Sequence, residues 1–291
     1  MKYLKTFLRG VGQVMLQKNS ITGLLFLAGI FYNSWLMGIG TVVGLVAGTF
    51  TAYILRYKNI EDGLFGFNGV LVGIAVLFFF QPTALAFLLL IIGAILSSVI
   101  MNFMVKKNLH PYTFPFILST WILIFLIKNF DLIPANVSES ASMNGLDALS
   151  SVSMGIGQVM FQGSIITGAI FFVALLVNSR SAALYGLAGS ALGMGIAYLL
   201  GFSLDSINIG IYGFNAVLCA IAFSEKKSLI PYALLSAALS VFVIQGMSYM
   251  GLPALTFPFV LSTWIALGAR KVANSFLTCI IVFSVQILNF Q

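Results

Sequence analysis

Charge is what this sequence has least of. Only 7% of its residues are Asp, Glu, Lys or Arg, 60% are hydrophobic, and the mean hydropathy is +1.07. A soluble domain carries about 25% charged residues. A chain of 291 residues this poor in charge cannot cover its surface with water-compatible groups, so lipid must be the solvent for most of its exterior. Soluble enzyme classes are excluded on that ground.

Reactive side chains are equally scarce. There is one histidine, His110, and the two cysteines, Cys219 and Cys279, lie in apolar runs. A disulfide framework or metal centre needs more ligands than these, so both cysteines are expected as small buried hydrophobes, and neither metal nor cofactor is expected. No phosphate-binding loop and no Ser/His/Asp grouping occurs, so neither ATP-driven transport nor hydrolysis is indicated. The net charge of +7 sits at segment ends rather than in a Lys/Arg-rich arm, which marks membrane topology rather than nucleic-acid binding. The acids Glu61 and Asp62 fall at a span entrance and Glu225 in a loop. Coupled transporters normally carry ionisable residues inside their spans, and here the predicted interior has none. A passive path for a neutral solute is what remains.

What the sequence does contain is one unit written twice. Residues 10–23, GVGQVMLQKNSITG, return at 155–168 as GIGQVMFQGSIITG, identical at nine of fourteen positions. GLFGFNGVL, with Gly66, Phe67 and Asn68, returns as GIYGFNAVL, with Gly213, Phe214 and Asn215. TFPFILSTW at 113–121 returns as TFPFVLSTW at 256–264. The offsets are 145, 147 and 143, so three motifs recur in order at nearly constant spacing. The expected organisation is a first membrane repeat at 1–130, a polar extracytoplasmic connector at 131–151, a second repeat at 152–271, and an extra apolar segment at 272–291.

A spanning helix needs about 20 apolar residues. Spans are predicted near 21–37, 39–55, 66–80, 84–103 and 114–128, then near 165–178, 182–200, 213–224, 229–247 and 255–269, some of them short enough to be re-entrant. The N-terminal stretch with Lys2, Lys5 and Arg9 is read as a retained interfacial helix. With the N-terminus inside, Arg56, Lys58, Lys106, Lys107, Arg180, Lys226, Lys227, Arg270 and Lys271 all fall in inner loops, and Lys128 is the sole basic residue near the outer ones. Five spans per half make the second repeat enter from the opposite side. The fold class expected is an all-α integral membrane protein with two inverted repeats of about five helices each around a central pore. Short loops fit a bacterial inner membrane.

The repeated motifs nominate the pore lining. Glycines beside Phe-Asn indicate either a helix break lining a wet cavity or close packing of small residues, and the residues alone leave both open. The proline of TFPF-x-LSTW, read as lying within a span, removes a helix hydrogen bond and frees a carbonyl. Thr120 and Thr263 follow it with uncharged hydroxyls; a threonine bonded back to its own turn is the alternative. Phe67 with Leu71, and Phe214 with Leu218, form a mirrored apolar set suited to a flat solute. Gln13 with Gln158, and Gln17 with Gln162, are paired glutamines for a mouth or an interface. Trp121 and Trp264 are read as packing residues.

Taken together, Gln-Val-Met-Phe-Gln with Ile-Thr-Gly, Gly-Phe-Asn-Gly-Val-Leu-Val-Gly, and Leu-Pro-x-x-Thr-x-Pro-Phe-x-Leu-x-Thr-Trp resemble the urea transporter family from about Gly10 to Trp264. The resemblance implies a homotrimer in lipid, one pore per protomer, and channel-like bidirectional movement of urea. It also implies roles. Gln13 and Gln158 with Leu16 and Phe161 become mouth residues. Phe67, Leu71, Phe214 and Leu218 become slot residues, and Thr120 and Thr263 the central hydroxyls. Leu16 departs from the family, where an aromatic is common, and no mouth carboxylate is seen at the glutamines. The competing classes are a coupled carrier, a channel for ammonia or a short amide, and a non-transporting scaffold.

Overall fold

The computed structural model describes residues 2–136 and 145–288, with side chains described as far as Ser275. Among these residues all regular structure is helical, apart from one isolated bridge between Phe80 and Ala135. The first half contains α1 (Lys2–Gln13), α2 (Ser20–Asn33), α3 (Trp35–Ile54), α4 (Phe67–Phe79), α5 (Ala84–Lys106) and α6 (Phe114–Asn129). The second contains α7 (Ala148–Gly157), α8 (Ile165–Asn178), α9 (Arg180–Leu199), the short α10 (Leu204–Asn208), α11 (Phe214–Ala222), α12 (Ile230–Tyr249) and α13 (Phe257–Leu288). By length and composition α3, α5, α9 and the segment Lys227–Tyr249 can each cross a bilayer, and 148–160 with 165–178 forms a pair bent by 72°. Leucines, phenylalanines and valines stand exposed around the outside, as lipid requires (Leu199 is 84% exposed).

Helix ends follow the residues that cap them. Asn19 accepts from the Ile21 and Thr22 amides at the start of α2, and Ser34 and Thr83 do the same for α3 and α5. Several elements are shorter than a membrane is thick, α4 and α11 among them. At about 1.5 Å per residue neither the 13 residues of α4 nor the 9 of α11 reach across a core of about 30 Å.

Two sequence expectations change. The apolar run at 272–290 is not a separate element as far as the described backbone goes: α13 continues through Arg270 and Lys271 to Leu288. Ala269, Arg270, Lys271 and Ala273 are good helix formers, and no proline interrupts them. The end of that run, 289–290, lies outside the described residues. The helix α7 was not foreseen as an element; its equivalent in the first half is α1.

Close approach explains most of the glycines. Gly40 and Gly44 of α3 lie against Gly73 and Gly69 of α4, and a Cβ on Gly44 would run into the Gly69 carbonyl. Gly189 and Gly193 of α9 meet the Ala216 and Tyr212 carbonyls in the same manner. For Gly69 and Gly73 the packing alternative is therefore the one realised. Gly44→Ala is expected to cost about 1–3 kcal/mol by overpacking and to lower Tm in detergent; an unchanged melting curve would remove the contact from the stability of the fold.

Contacts between the halves are reciprocal. The Thr22 hydroxyl donates to the Ala174 carbonyl at 2.9 Å, and Thr167 donates to the equivalent Gly29 carbonyl at 3.4 Å. Asn178 donates to Gln17 at 2.7 Å, and Asn33 donates to Gln162 at 2.9 Å. Trp121 Nε1 donates to the Pro253 carbonyl, and Trp264 Nε1 to that of His110. Phe26 packs edge-on against its own equivalent Phe171, and the Thr256 hydroxyl donates to that of Thr113. Residue i meeting j′ while j meets i′ is how a self-complementary two-fold interface is built.

Candidate functional site

The site is assembled from the three repeated motifs, and hydrogen bonds hold them together. An α-helix leaves its first N–H groups without internal partners. At α6 the Phe114 amide donates to the Pro111 carbonyl, Pro115 has no N–H, and the Ile117 amide reaches Thr113. The remaining donor, Phe116 N–H, is accepted by the Asn68 side chain at 3.1 Å. At α13 the Phe257 amide donates to Ala254, Pro258 has none, the Val260 amide reaches Thr256, and Phe259 N–H is accepted by Asn215 at 3.0 Å. The asparagine of each Gly-Phe-Asn motif thus caps the helix that begins with Phe-Pro-Phe. This corrects the proline reading: Pro115 and Pro258 occupy second helical positions and free no carbonyl, which is where proline is tolerated.

On this frame Phe67 and Leu71 sit one turn apart on α4, and Phe214 and Leu218 do so on α11. Leu71 and Leu218 are fully buried, Phe67 almost so, and Phe214 half-buried. Thr120 and Thr263 lie on α6 and α13, which pack on α4 and α11 respectively. Both threonines are buried. Neither bonds back to its own turn: the Thr120 hydroxyl has no partner, and Thr263 reaches only the Cys219 sulfur, at 3.9 Å. Ser119 and Ser262, one residue before each threonine, also carry buried hydroxyls without partners, as do Thr41 and Thr49 of α3 and Ser98 of α5 outside this group. Natural interiors rarely leave such groups unpaired.

Two pockets, called vestibules below, are lined by residues near these motifs. One, of about 340 Å³, is lined by Leu16, Gln17, Tyr112, Asn178, Ile221 and Glu225 among others. The other, of about 200 Å³, is lined by Phe78, Phe79, Ile124, Lys128, Asn136 and Pro253 among others. Phe161 packs against two of its walls, with ring centroids 5.2 Å from Phe78 and 6.1 Å from Phe79. Leu16 and Phe161 both adopt left-handed backbone conformations, with φ of 61° and 59°. The glutamines divide by role. Gln17 and Gln162 donate to the Met15 and Met160 carbonyls while accepting from Asn178 and Asn33, so they lock the loops that carry Leu16 and Phe161. Gln13 donates to the Asp62 carbonyl at 2.9 Å, beside the ion pairs Lys2–Glu61, from α1, and Lys18–Asp62, from the loop that follows it. Gln158 opens the turn Gln158–Met160. Neither Gln13 nor Gln158 is among the residues lining the two vestibules.

Among the lining residues that no sequence signal singles out are Glu225, Lys128, Tyr112 and Asn136. Glu225 lies in the turn after α11, as the sequence indicates, but the offset of 147 also makes it the equivalent of Phe78 in the last turn of α4. Lys128 was read only as a topology charge. Tyr112 adjoins the repeated motif without belonging to it. Asn136, from the connector, donates to the Leu77, Phe78 and Phe80 carbonyls and so caps the end of α4. No motif announces it.

Among the described residues every buried polar side chain is neutral: threonine, serine, asparagine or glutamine. A model of the urea transporter family matches residues 4–271. The chain belongs to the urea transporter family. It is a membrane-embedded transporter, not an enzyme. Among its relatives are proteins called urea transporter 1 in sheep, goat and mouse, each 27% identical over 295 residues, covering 90% of this chain and 76% of theirs. A neutral interior of this kind suits an uncharged solute. Removing an ion's hydration without a compensating charge is prohibitive, whereas a neutral amide needs only acceptors and donors.

Proposed function

We propose that this urea transporter family protein is a passive channel that passes urea down its gradient through a slot between α4, α6, α11 and α13. The single observation that carries this reading is the set of buried, neutral and partnerless hydroxyls at Thr120, Ser119 and Ser262. Urea is flat, uncharged and rich in N–H donors. Its edges suit the hydroxyls of Thr120 and Thr263, and its faces suit Phe67, Leu71, Phe214 and Leu218. Leu16 and Phe161 stand at the two mouths, with Gln13 and Gln158 behind the loops that carry them.

The two halves form inverted repeats of about five membrane helices each, α4 and α11 being re-entrant, with the pore at their interface. The reciprocal bonds of Thr22 with Thr167 and of Asn33 with Asn178 support this arrangement. The N-terminus lies in the cytoplasm of a bacterial inner membrane, which puts the Leu16 vestibule, near Arg180 and Lys226, inside and the Phe161 vestibule outside. The domain division is 1–130, 131–151, 152–271 and an apolar C-terminal segment at 272–291, whose described part prolongs α13 to Leu288. The assembly in lipid is a homotrimer with one pore per protomer, as the family resemblance implies; light-scattering mass in detergent tests it, and a monomer mass would refute it.

The deciding experiment is stopped-flow light scattering on proteoliposomes given an inward urea gradient, with glycerol as comparison and with proton or sodium gradients imposed. Urea entry far above that of protein-free vesicles and indifferent to either gradient is expected. Entry that follows an ion gradient would make the protein a coupled carrier instead.

A further inference from the structure

We propose that Tyr112 is the aromatic wall of the Leu16 vestibule and decides which neutral amides enter the slot from that side; this rests on the channel reading above. At the other vestibule Phe161 backs the lining rings Phe78 and Phe79, and its own ring meets Phe116 edge-on with centroids 6.4 Å apart. The residue equivalent to Phe161 is Leu16, and the residue equivalent to Phe116 is Phe259. If Leu16 simply removed the wall, Phe259 would face an aliphatic residue. It faces Tyr112 instead, edge-on, at 5.2 Å.

Tyr112 is equivalent to Leu255, at the offset of 143 shared with the Thr-Phe-Pro-Phe motif, and both backbones are left-handed, with φ of 45° and 47°. By repeat equivalence the two sides therefore exchange positions: aromatic at 161 with aliphatic at 255 in one set, aliphatic at 16 with aromatic at 112 in the other. Tyr112 lines this vestibule together with Glu225 and Asn178. The exchange breaks symmetry beneath it. Asn215 Nδ2 donates to the Leu255 carbonyl at 3.2 Å, while Asn68 Nδ2, whose equivalent acceptor is the Tyr112 carbonyl, stays buried without a partner.

The test reads the ratio of urea to methylurea permeability in proteoliposomes. Tyr112→Leu is expected to lower the ratio about fivefold to tenfold, the scale of one lost aromatic contact. The exchange Leu16→Phe with Tyr112→Leu is expected to restore it to within about twofold of the parent, a coupling that two independent sites would not show. Tyr112→Phe keeps the ring and is expected to keep the ratio. An unchanged ratio in Tyr112→Leu overturns the proposal, as does an equal fall in Tyr112→Phe, which would assign the effect to the hydroxyl. Alkylation of Tyr112→Cys by a small thiol reagent supplies a readout independent of urea. Labelling above the parent's own background supports a vestibule-facing position, and none overturns it, even where wild-type flux has refuted the channel reading.

Discussion

Replacing both Thr120 and Thr263 with valine is expected to lower urea flux about a hundredfold while leaving the fold at least as stable. Valine matches threonine in shape and removes only the hydroxyl. A solute N–H stripped of water and denied its acceptor costs about 1–3 kcal/mol, so two such losses reach about two orders of magnitude in rate. Stability moves the other way. The Thr120 hydroxyl is buried and bonded to nothing, and that of Thr263 touches only the Cys219 sulfur at 3.9 Å, so their removal breaks no strong bond. A structural threonine gives the opposite pattern, with Tm falling and flux following it. Stopped-flow flux and detergent melting on the same preparation separate the two. Normal flux in a well-folded double variant would take both threonines out of the mechanism.

Much of this frame is legible in the sequence because hydrophobic length and repetition are local signals. The predicted spans at 39–55, 84–103, 165–178 and 229–247 coincide with α3, α5, α8 and α12 to within a few residues. What escaped depends on partners distant in sequence. Gln17 and Gln162 look like mouth ligands until Asn178 and Asn33 occupy their oxygens. Pro115 looks like a kink until the helix is seen to begin at Phe114. Glu225 looks like a loop charge because α11 stops at Ala222 while α4 runs to Phe79, which hides the correspondence with Phe78. Tyr112 is invisible to any search for matching pairs, since it stands where the pairing fails.

The same broken symmetry yields the second large effect. Asn215→Leu is expected to destabilise the protein by about 2–5 kcal/mol, and Asn68→Leu by about 0–2 kcal/mol. Asn215 satisfies two buried backbone groups, the Phe259 N–H and the Leu255 carbonyl. Its loss leaves both unpaired: Phe259 lies in the first turn of α13, where the helix supplies no acceptor. Asn68 satisfies only the Phe116 N–H, and its own Nδ2 is already without a partner, so leucine removes one unpaired donor while creating another. The asparagines are identical in motif and burial, so a symmetric account predicts equal costs. Melting temperatures of the two single variants in detergent distinguish the accounts, and equal shifts would refute the asymmetric one. Flux should follow the same order, because Asn215 fixes the start of the helix that carries Thr263, four residues beyond the amide it holds.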